Sequence, residues 1–347
     1  MVKGEPDQGY ISGVTDGNLT AWTDLWNKAK AHLASPTNTN YFKLMGLAAD
    51  GMTPTEVPVV LDADDMIDYL MLTFWTGNLD GTTSAFLSNN NADNWFRIRN
   101  RLGTKGGFKF MAHDFEHTFF NVNEDRTGPF TTAGYYDSIT CSNPLFIHQD
   151  LSANAEYRIR WADRIREHMF NGGVLTQTAW NIRFASNGTF VDQTIIAESA
   201  RWGDAKVAVP LTKANWLTAQ NYLTGTYVPD RGPVALAQLK ADNLYPALDA
   251  PTITPFGSYQ NSGVEAVMSG IAGATIDYML DGSDPRAVGG AVKAGAQIYT
   301  ASTTTDNLIP FSATGWKYLA DGSNQGTAWR AVGFNDATWP TGNDELG

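Results

Sequence analysis

The stretch Gly107-Phe-Lys-Phe-Met-Ala-His-Asp-Phe-Glu-His117, set beside Gly77-Asn-Leu-Asp80 upstream, decides how the rest of the chain is read. Phe108, Phe110 and Ala112 alternate with Lys109, Met111 and His113, which is the two-residue period of a strand. The end of that strand delivers Asp114, Glu116 and His117. A strand that buries aromatic rings and finishes in carboxylates is one rigid way to hold a cation. A surface strand end carrying ordinary solvated charges is the other reading these residues allow.

Working outward, Trp95-Phe-Arg-Ile-Arg99 predicts a second strand, and the Gly-rich connection over 102–107 makes the two a hairpin. Upstream, a helix starts at Asp62, with Asp65 three positions on as a capping-box analogue. Its apolar face is Met66, Ile67, Leu70, Met71 and Phe74, and Gly77-Asn78 is its C-cap signal. Asp80 therefore falls in the loop just past a buried helix. Leu19, Trp22, Leu25, Trp26, Ala29 and Leu33 predict an earlier helix, with Asn18 and Thr20 as caps and Pro36 closing the region. Residues 1–17 are polar and Gly-rich and read as loop. Residues 150–245 read as mostly helical, with segments near 157–169, 195–200, 216–222 and 234–239. At Ala250-Pro251 the composition shifts to Gly, Ala, Thr and Ser, and Thr275-Ile-Asp-Tyr-Met-Leu280 runs into an Asp281-Gly282 turn.

The expected fold class is α+β: a mostly helical body with a β-hairpin, followed by a small all-β sandwich. The expected divisions are 1–248, 249–302 and 303–347. The last segment carries Trp316, Trp329 and Trp339 and reads as the opening strands of a further domain.

At 347 residues the chain has room for two or three cores. Hydrophobic residues at 43% against 17% charged exclude a disordered chain. A formal charge of −12 repels phosphate backbones and anionic membranes, so no nucleic-acid partner is expected. A metal–phosphate complex stays compatible with an acidic site, because the metal carries the positive charge. The single Cys141 excludes an intrachain disulfide, which suits a reducing compartment or a bacterial exported protein built without disulfides. Cys141 has no partner for nucleophilic work and is expected to be buried and inert. No apolar run approaches the ~20 residues of a membrane span. Met1-Val-Lys-Gly-Glu-Pro6 does not read as a signal peptide.

Asp80 and Asp114 form the central chemical pair. Phosphoryl transfer uses divalent metal at the phosphates and a carboxylate that receives the acceptor hydroxyl's proton. Two acids fixed at the ends of separate elements suit those two roles, and Asn78 or Asn94 can add an amide oxygen to a metal shell. His113 and His117 do not make a zincin helix, because Asp follows the first His and the local pattern is β. A metal-dependent hydrolase on His113, Asp114 and His117 is the weakest reading. His32, His148 and His168 lack ligand spacing and read as packing or surface residues. Glu198, Arg201 and Asp204 read as a buried ion-pair cluster.

Leu61-Asp-x-Asp-x-Met-Ile-Asp-Tyr-Leu-x-Leu-x-Phe-x-x-Gly-Asn-x-Asp80 resembles the central motif of the CotH kinase family, the spore-coat-protein-H-like atypical protein kinases. Asn94-Trp-Phe, Arg99-Asn-Arg101 and Gly107-Phe-Lys-Phe continue it, and His113-Asp-Phe-Glu116 stands where the family shows Trp-Asp-x-Asp or Trp-Asp-x-Glu. Glu198-Ser-Ala-Arg-Trp-Gly-Asp204, Tyr227-x-Pro-x-Arg231 and Leu244-Tyr-Pro246 are similar to later pieces, so the resemblance covers roughly residues 1–248. It implies a kinase that uses ATP with Mg²⁺ or Mn²⁺ and transfers the γ-phosphate to a hydroxyl, on a protein. It implies Asp80 as the catalytic acid, Asp114 as a metal ligand with Glu116 and Asn94 as accessory ligands, and Lys3 as the nucleotide-phosphate lysine. It further implies an extracellular or surface-located bacterial protein, and a family amino-terminal lobe lying before residue 1. The alternative is a kinase-like scaffold without activity in an adhesion or polysaccharide-binding protein. Ala274-Thr-Ile-Asp-Tyr-Met-Leu-Asp-Gly-Ser-Asp-Pro-Arg286 resembles the carboxy-terminal module of chitobiase and β-hexosaminidase. The segment from Gly315-Trp-Lys-Tyr-Leu to Trp339 resembles the start of a galactose-binding-like domain, and such modules imply a carbohydrate partner.

Overall fold

Local signals set the first helices. In the computed structural model, α1 (Thr20–Ala34) begins where the Asn18 side chain accepts the Thr20 N–H at 3.0 Å. The structure describes residues 2–5, 10–14, 16–101, 106–257, 264–300, 314–331 and 333–342, and for residues 2–5 and 10–12 the backbone alone. The inward face of α1 is Trp22, Leu25, Trp26, Ala29 and His32, whereas Leu33, expected on that face, is 40% exposed. His32 takes the inward position because its Nδ1 meets the Asp150 carbonyl at 3.0 Å, which gives a buried imidazole a partner. Burial lowers its pKa, against that hydrogen bond.

Residues 1–17 are not all loop. Strands β1 (Val2–Glu5) and β2 (Tyr10–Val14) pair with each other, and β1 pairs with β3 (Trp95–Ile98), which pairs with β4 (Lys109–Ala112). The resulting antiparallel order is β2-β1-β3-β4. The Gly and charged residues of β1 conceal its strand character, and pairing with β3, some ninety residues on, supplies the ladder that the local sequence lacks. The expected hairpin is present, with Trp95 opposite Ala112 and Ile98 opposite Lys109.

Short helix α2 (Asn38–Lys43), not anticipated from periodicity, is capped by Thr37 and buries Tyr41 and Phe42. Helix α3 (Ala63–Thr76) matches the expected span. The Asp62 side chain accepts the Asp65 N–H at 3.1 Å, and Gly77 closes the helix in the left-handed region at φ 61°. The reciprocal half of a capping box is missing, because Asp65 instead accepts the Phe110 N–H of β4 at 2.6 Å. Gly107 runs against the start of α3 so closely that a Cβ there would lie 2.1 Å from the Leu61 carbonyl carbon.

Next come α4 (Pro144–Leu151), α5 (Ala155–Met169), α6 (Gln177–Val191), α7 (Thr194–Trp202), α8 (Lys213–Tyr222) and α9 (Val228–Ala241). Trp22 of α1 packs on Trp95 of β3, on Phe108 just before β4 and on Phe110 of β4, at centroid distances of 5.7, 5.4 and 6.4 Å. Phe74 of α3 stacks on Trp161 of α5 at 5.8 Å. Each such buried side chain stabilises the fold by roughly 2–3 kcal/mol relative to exposure. Arg97 of β3 is fully buried, with its guanidinium over the Trp22 and Trp95 rings. Cys141 is buried, as expected. Asp64 and Asp68 on α3 face Arg160 and Arg164 on α5, at 2.8 Å in each pair, so the two helices are also zipped by charge.

The buried Glu198–Arg201–Asp204 cluster is not formed. All three residues are exposed, and Arg201 lies over the Trp202 ring at 4.9 Å. Helices α6, α7 and α8 bury no residue fully, so they offer no interior for an ion cluster.

Strands β5 (Thr252–Thr254), β6 (Val267–Ser269), β7 (Asp277–Tyr278) and β8 (Gln297–Ile298) form two short antiparallel pairs, β5–β6 and β7–β8. Asp281 and Asp284 accept the N–H groups two residues on, as turn formers do. Arg286 also reaches Asp163 of α5 at 2.7 Å. The chain divides into two compact units, residues 1–299 and 300–347. In the second, β9 (Trp316–Lys317) pairs with β10 (Thr341–Gly342), and Phe334 packs on Trp339 at 5.4 Å.

Candidate active site

The end of α3 builds the site. Gly77 turns the chain out of the helix, and the Asn78 side chain accepts the Asp80 N–H at 3.0 Å. This local Asx-type bond fixes the backbone that carries Asp80. Asp80 is buried, at 9% exposure. One of its oxygens accepts from the Ser84 hydroxyl and the other from the Asn94 side-chain amide at 3.0 Å. Asn94 thus turns its NH₂ toward Asp80, which leaves its Oδ1 to point elsewhere. The loop closes on itself through Ser84 N–H to Asn91 O at 2.8 Å and Asp93 N–H to Gly81 O at 2.7 Å.

The same loop is tied to the segment after β4. Leu79 N–H donates to His117 O, and Phe119 N–H donates to Thr76 O, both at 2.9 Å. Asp114 lies between β4 and this tie and is exposed. Asn94 and Asp114 flank the open end of the β3–β4 hairpin, and both adopt left-handed backbone, at φ 40° and 48°. Asn and Asp tolerate that region better than other side-chain-bearing residues.

Of the expected site residues, then, Asp80 and Asn94 are in contact, and Asp114 and Glu116 occupy the adjoining loop. Glu116 is exposed and pairs with His117 Nε2 at 3.3 Å. Lys3 lies on β1 opposite Phe96, and its side chain falls outside the described residues. Among the described residues no three His, Cys, Asp or Glu side chains gather into a metal cage. His113 and His117 pack on different rings, Phe96 at 4.5 Å and Phe86 at 4.7 Å, so they are not a ligand pair. Mg²⁺ does not require a protein cage. It binds through one or two carboxylates and completes its shell with water and phosphate oxygens, and Asp114 is an exposed carboxylate.

Arg126 carries no signal in the sequence. It is buried, and it donates to the Thr83 carbonyl and to Asn89 Oδ1 at 2.9 Å, clamping both sides of the turn that follows Ser84. Burial lowers its pKa, and the charges of Glu124, Asp125 and Asp80 oppose that shift. No local pattern marks the clamp, since Thr83 and Asn89 lie about forty residues upstream, although Glu124 pairs with the same guanidinium at 3.5 Å.

Arg231 acts on the helix that carries the site. Fully buried, it donates to the carbonyls of Phe74, of Trp75 at 2.8 Å and of Val122 at 2.6 Å. Tyr227 adds its hydroxyl to Trp75 O at 3.1 Å. Two of the last carbonyls of α3, those of Phe74 and Trp75, thereby gain donors from α9 and the turn before it, Phe74 O in addition to the Gly77 N–H.

No curated protein and no solved structure matches the chain. The family model described as CotH kinase protein matches residues 3–231, a span that runs from β1 through the Asp80 loop and hairpin to Arg231. The chain belongs to the CotH kinase protein family.

Proposed function

We propose that the chain is a phosphotransferase that moves the γ-phosphate of ATP to a hydroxyl on a protein. The observation that carries this reading is the Asp80 carboxylate, held by Ser84 and Asn94 on a loop whose backbone is bonded to the segment just after Asp114. A carboxylate has about four lone-pair sites, and two are taken here, so Asp80 can still accept the acceptor hydroxyl's proton. Its two hydrogen bonds fix the orientation of the carboxylate before substrate arrives. Asp114, with the Asn94 amide oxygen, would hold Mg²⁺ or Mn²⁺. A bound divalent ion with ATP supplies charge neutralisation at the transferred phosphoryl group. Glu116 would serve as an accessory acid and Lys3 as a phosphate contact. An extracellular or surface location, and carbohydrate binding by the segments after residue 248, rest on resemblance alone.

The competing reading is a kinase-like scaffold without turnover. One observation favours it: of the expected acids, Glu116 is exposed and turned to His117, while Asp80 is engaged by Ser84 and Asn94. Calorimetry with Mg·ATP and a phosphoryl-transfer assay separate the two. Asp114→Ala should weaken Mg·ATP binding. Asp80→Asn should retain binding while transfer falls by about 10²-fold or more. Unchanged nucleotide affinity in Asp114→Ala removes the metal role, and equal transfer by Asp80→Asn removes the acid role.

A further inference from the structure

Three aromatic rings lie on segments bonded to the Asp80 loop and take no part in the chemistry above. Phe86 is 61% exposed and Phe120 is 62% exposed. The His117 ring neighbours both, at centroid distances of 4.7 Å from Phe86 and 6.3 Å from Phe120. All three belong to segments bonded to the residue preceding Asp80. Leu79 O accepts from Ala85 N–H at 2.7 Å, and Leu79 N–H donates to His117 O at 2.9 Å.

Phe86 is held outward on a fixed support. Its 3₁₀ turn, Ala85–Leu87, is followed by Ser88 and Asn89, both in the left-handed region at φ 58° and 57°. Such backbone is unfavourable for serine and persists where surrounding contacts enforce it. Arg126 provides those contacts by clamping Thr83 on one side of the turn and Asn89 on the other. A large apolar ring on a clamped, strained turn beside a reactive carboxylate is what a recognition surface requires, since little ordering is left to do on binding. The rim is also acidic. Glu116 pairs with His117 at 3.3 Å, and Asp114 is exposed three residues before it.

We propose that Phe86, His117 and Phe120 form the docking platform for the acceptor: a peptide whose hydroxyl-bearing residue has an aromatic or branched aliphatic neighbour, in a neutral or basic context. The assignment rests on the phosphotransfer reading of Asp80. An apolar neighbour packs on the two phenyl rings while the hydroxyl reaches Asp80, and acidic peptides are repelled by Asp114 and Glu116.

The test uses the full chain and two fluorescent nonapeptides with a central serine in a Gly/Lys background, one with Phe on both sides of the serine and one with Ala. In anisotropy titrations the Phe peptide should bind about five- to tenfold more tightly. Phe86→Ala and Phe120→Ala should each shrink that ratio toward one, while Phe190→Ala, which removes an 87% exposed ring on α6, should leave it intact. Equal binding of the two peptides by the unmodified protein, or a ratio that survives both site substitutions, overturns the platform. A Phe86→Ala loss in ATP affinity with peptide selectivity intact also overturns it, by making the ring a nucleotide-base contact. Phosphoryl transfer by Asp80→Asn is scored separately. Peptide selectivity without transfer in any form of the protein refutes the phosphotransfer reading and supports the platform as a peptide site.

Discussion

Replacing Arg231 with Met should cost about 3–6 kcal/mol of stability and loosen the loop that carries Asp80. The guanidinium makes three hydrogen bonds to carbonyls, at Phe74, Trp75 and Val122. Net of solvation, a hydrogen bond involving a charged group contributes about 1.5–3 kcal/mol, so complete loss of three would cost roughly 5–9 kcal/mol. Two of these carbonyls keep a second donor, however: Phe74 O keeps the Gly77 N–H at 3.2 Å and Trp75 O keeps the Tyr227 hydroxyl. Counting those two at about half brings the expectation to the stated range, a large share of the 5–15 kcal/mol typical of a domain. Arg231→Lys keeps a positive charge at the negative end of α3 but offers a point donor in place of a fork, so it should lose less than Met. Urea unfolding followed by circular dichroism reads the change as a shift in midpoint at constant slope. Amide exchange at residues 77–80 should speed up in parallel. Both variants within about 1 kcal/mol of the unmodified protein would refute the claim that this cap from a distant helix holds the site-bearing helix.

Two further outcomes follow from contacts elsewhere in the core. Gly107→Ala should destabilise by about 3 kcal/mol or more, because the added Cβ meets the backbone of Leu61 and Asp62 and not a side-chain end that can swing away; a melting temperature equal to that of the unmodified protein would sink this. His148 is buried, and its Nδ1 faces the Trp161 N–H at 3.1 Å and the Tyr157 hydroxyl at 2.9 Å. Indole only donates, so that nitrogen must carry a lone pair, and burial pushes the His148 pKa down to about 3. The unfolded chain, with histidine near 6.5, then binds more protons than the folded one between about pH 6.5 and 3. His148 therefore contributes stability that is present above about pH 6.5 and is lost as pH falls, at up to about 1.4 kcal/mol per unit. Comparing His148→Gln with the unmodified protein across pH 7 to 4 isolates this term, since groups shifted the other way, such as Asp150, whose pKa is raised by burial, are common to both. Parallel stability curves would count against it.

The elements legible in sequence were those whose signals are local. Helix α3 declared itself through its 3.6-residue apolar spacing, the Asp62 cap and the Gly77 stop, all within sixteen residues. The hairpin was legible because Trp95 to Ile98 and Lys109 to Ala112 pair with each other across a short Gly-rich connection. The contact between Asp80 and Asn94 is not legible in the sequence, where Asn94 reads only as an amide-oxygen donor to a metal, since fourteen residues separate the two.

What the sequence by itself determined is the helical and hairpin frame and the place of Asp80 at the end of a buried helix, because caps and periodicity act over a few residues. Only the tertiary structure decided that residues 2–5 and 10–14 become strands, since their ladder runs to β3. It likewise decided that Arg126 clamps the turn beneath Phe86 and that Arg231 caps α3 from about 155 residues away. Those roles depend on which carbonyls are left without partners in the folded chain, and that is known only once the elements have packed. The Glu198, Arg201 and Asp204 residues show the converse. Their spacing suggested a buried ion cluster, but α7 never enters a core, so water keeps all three charges.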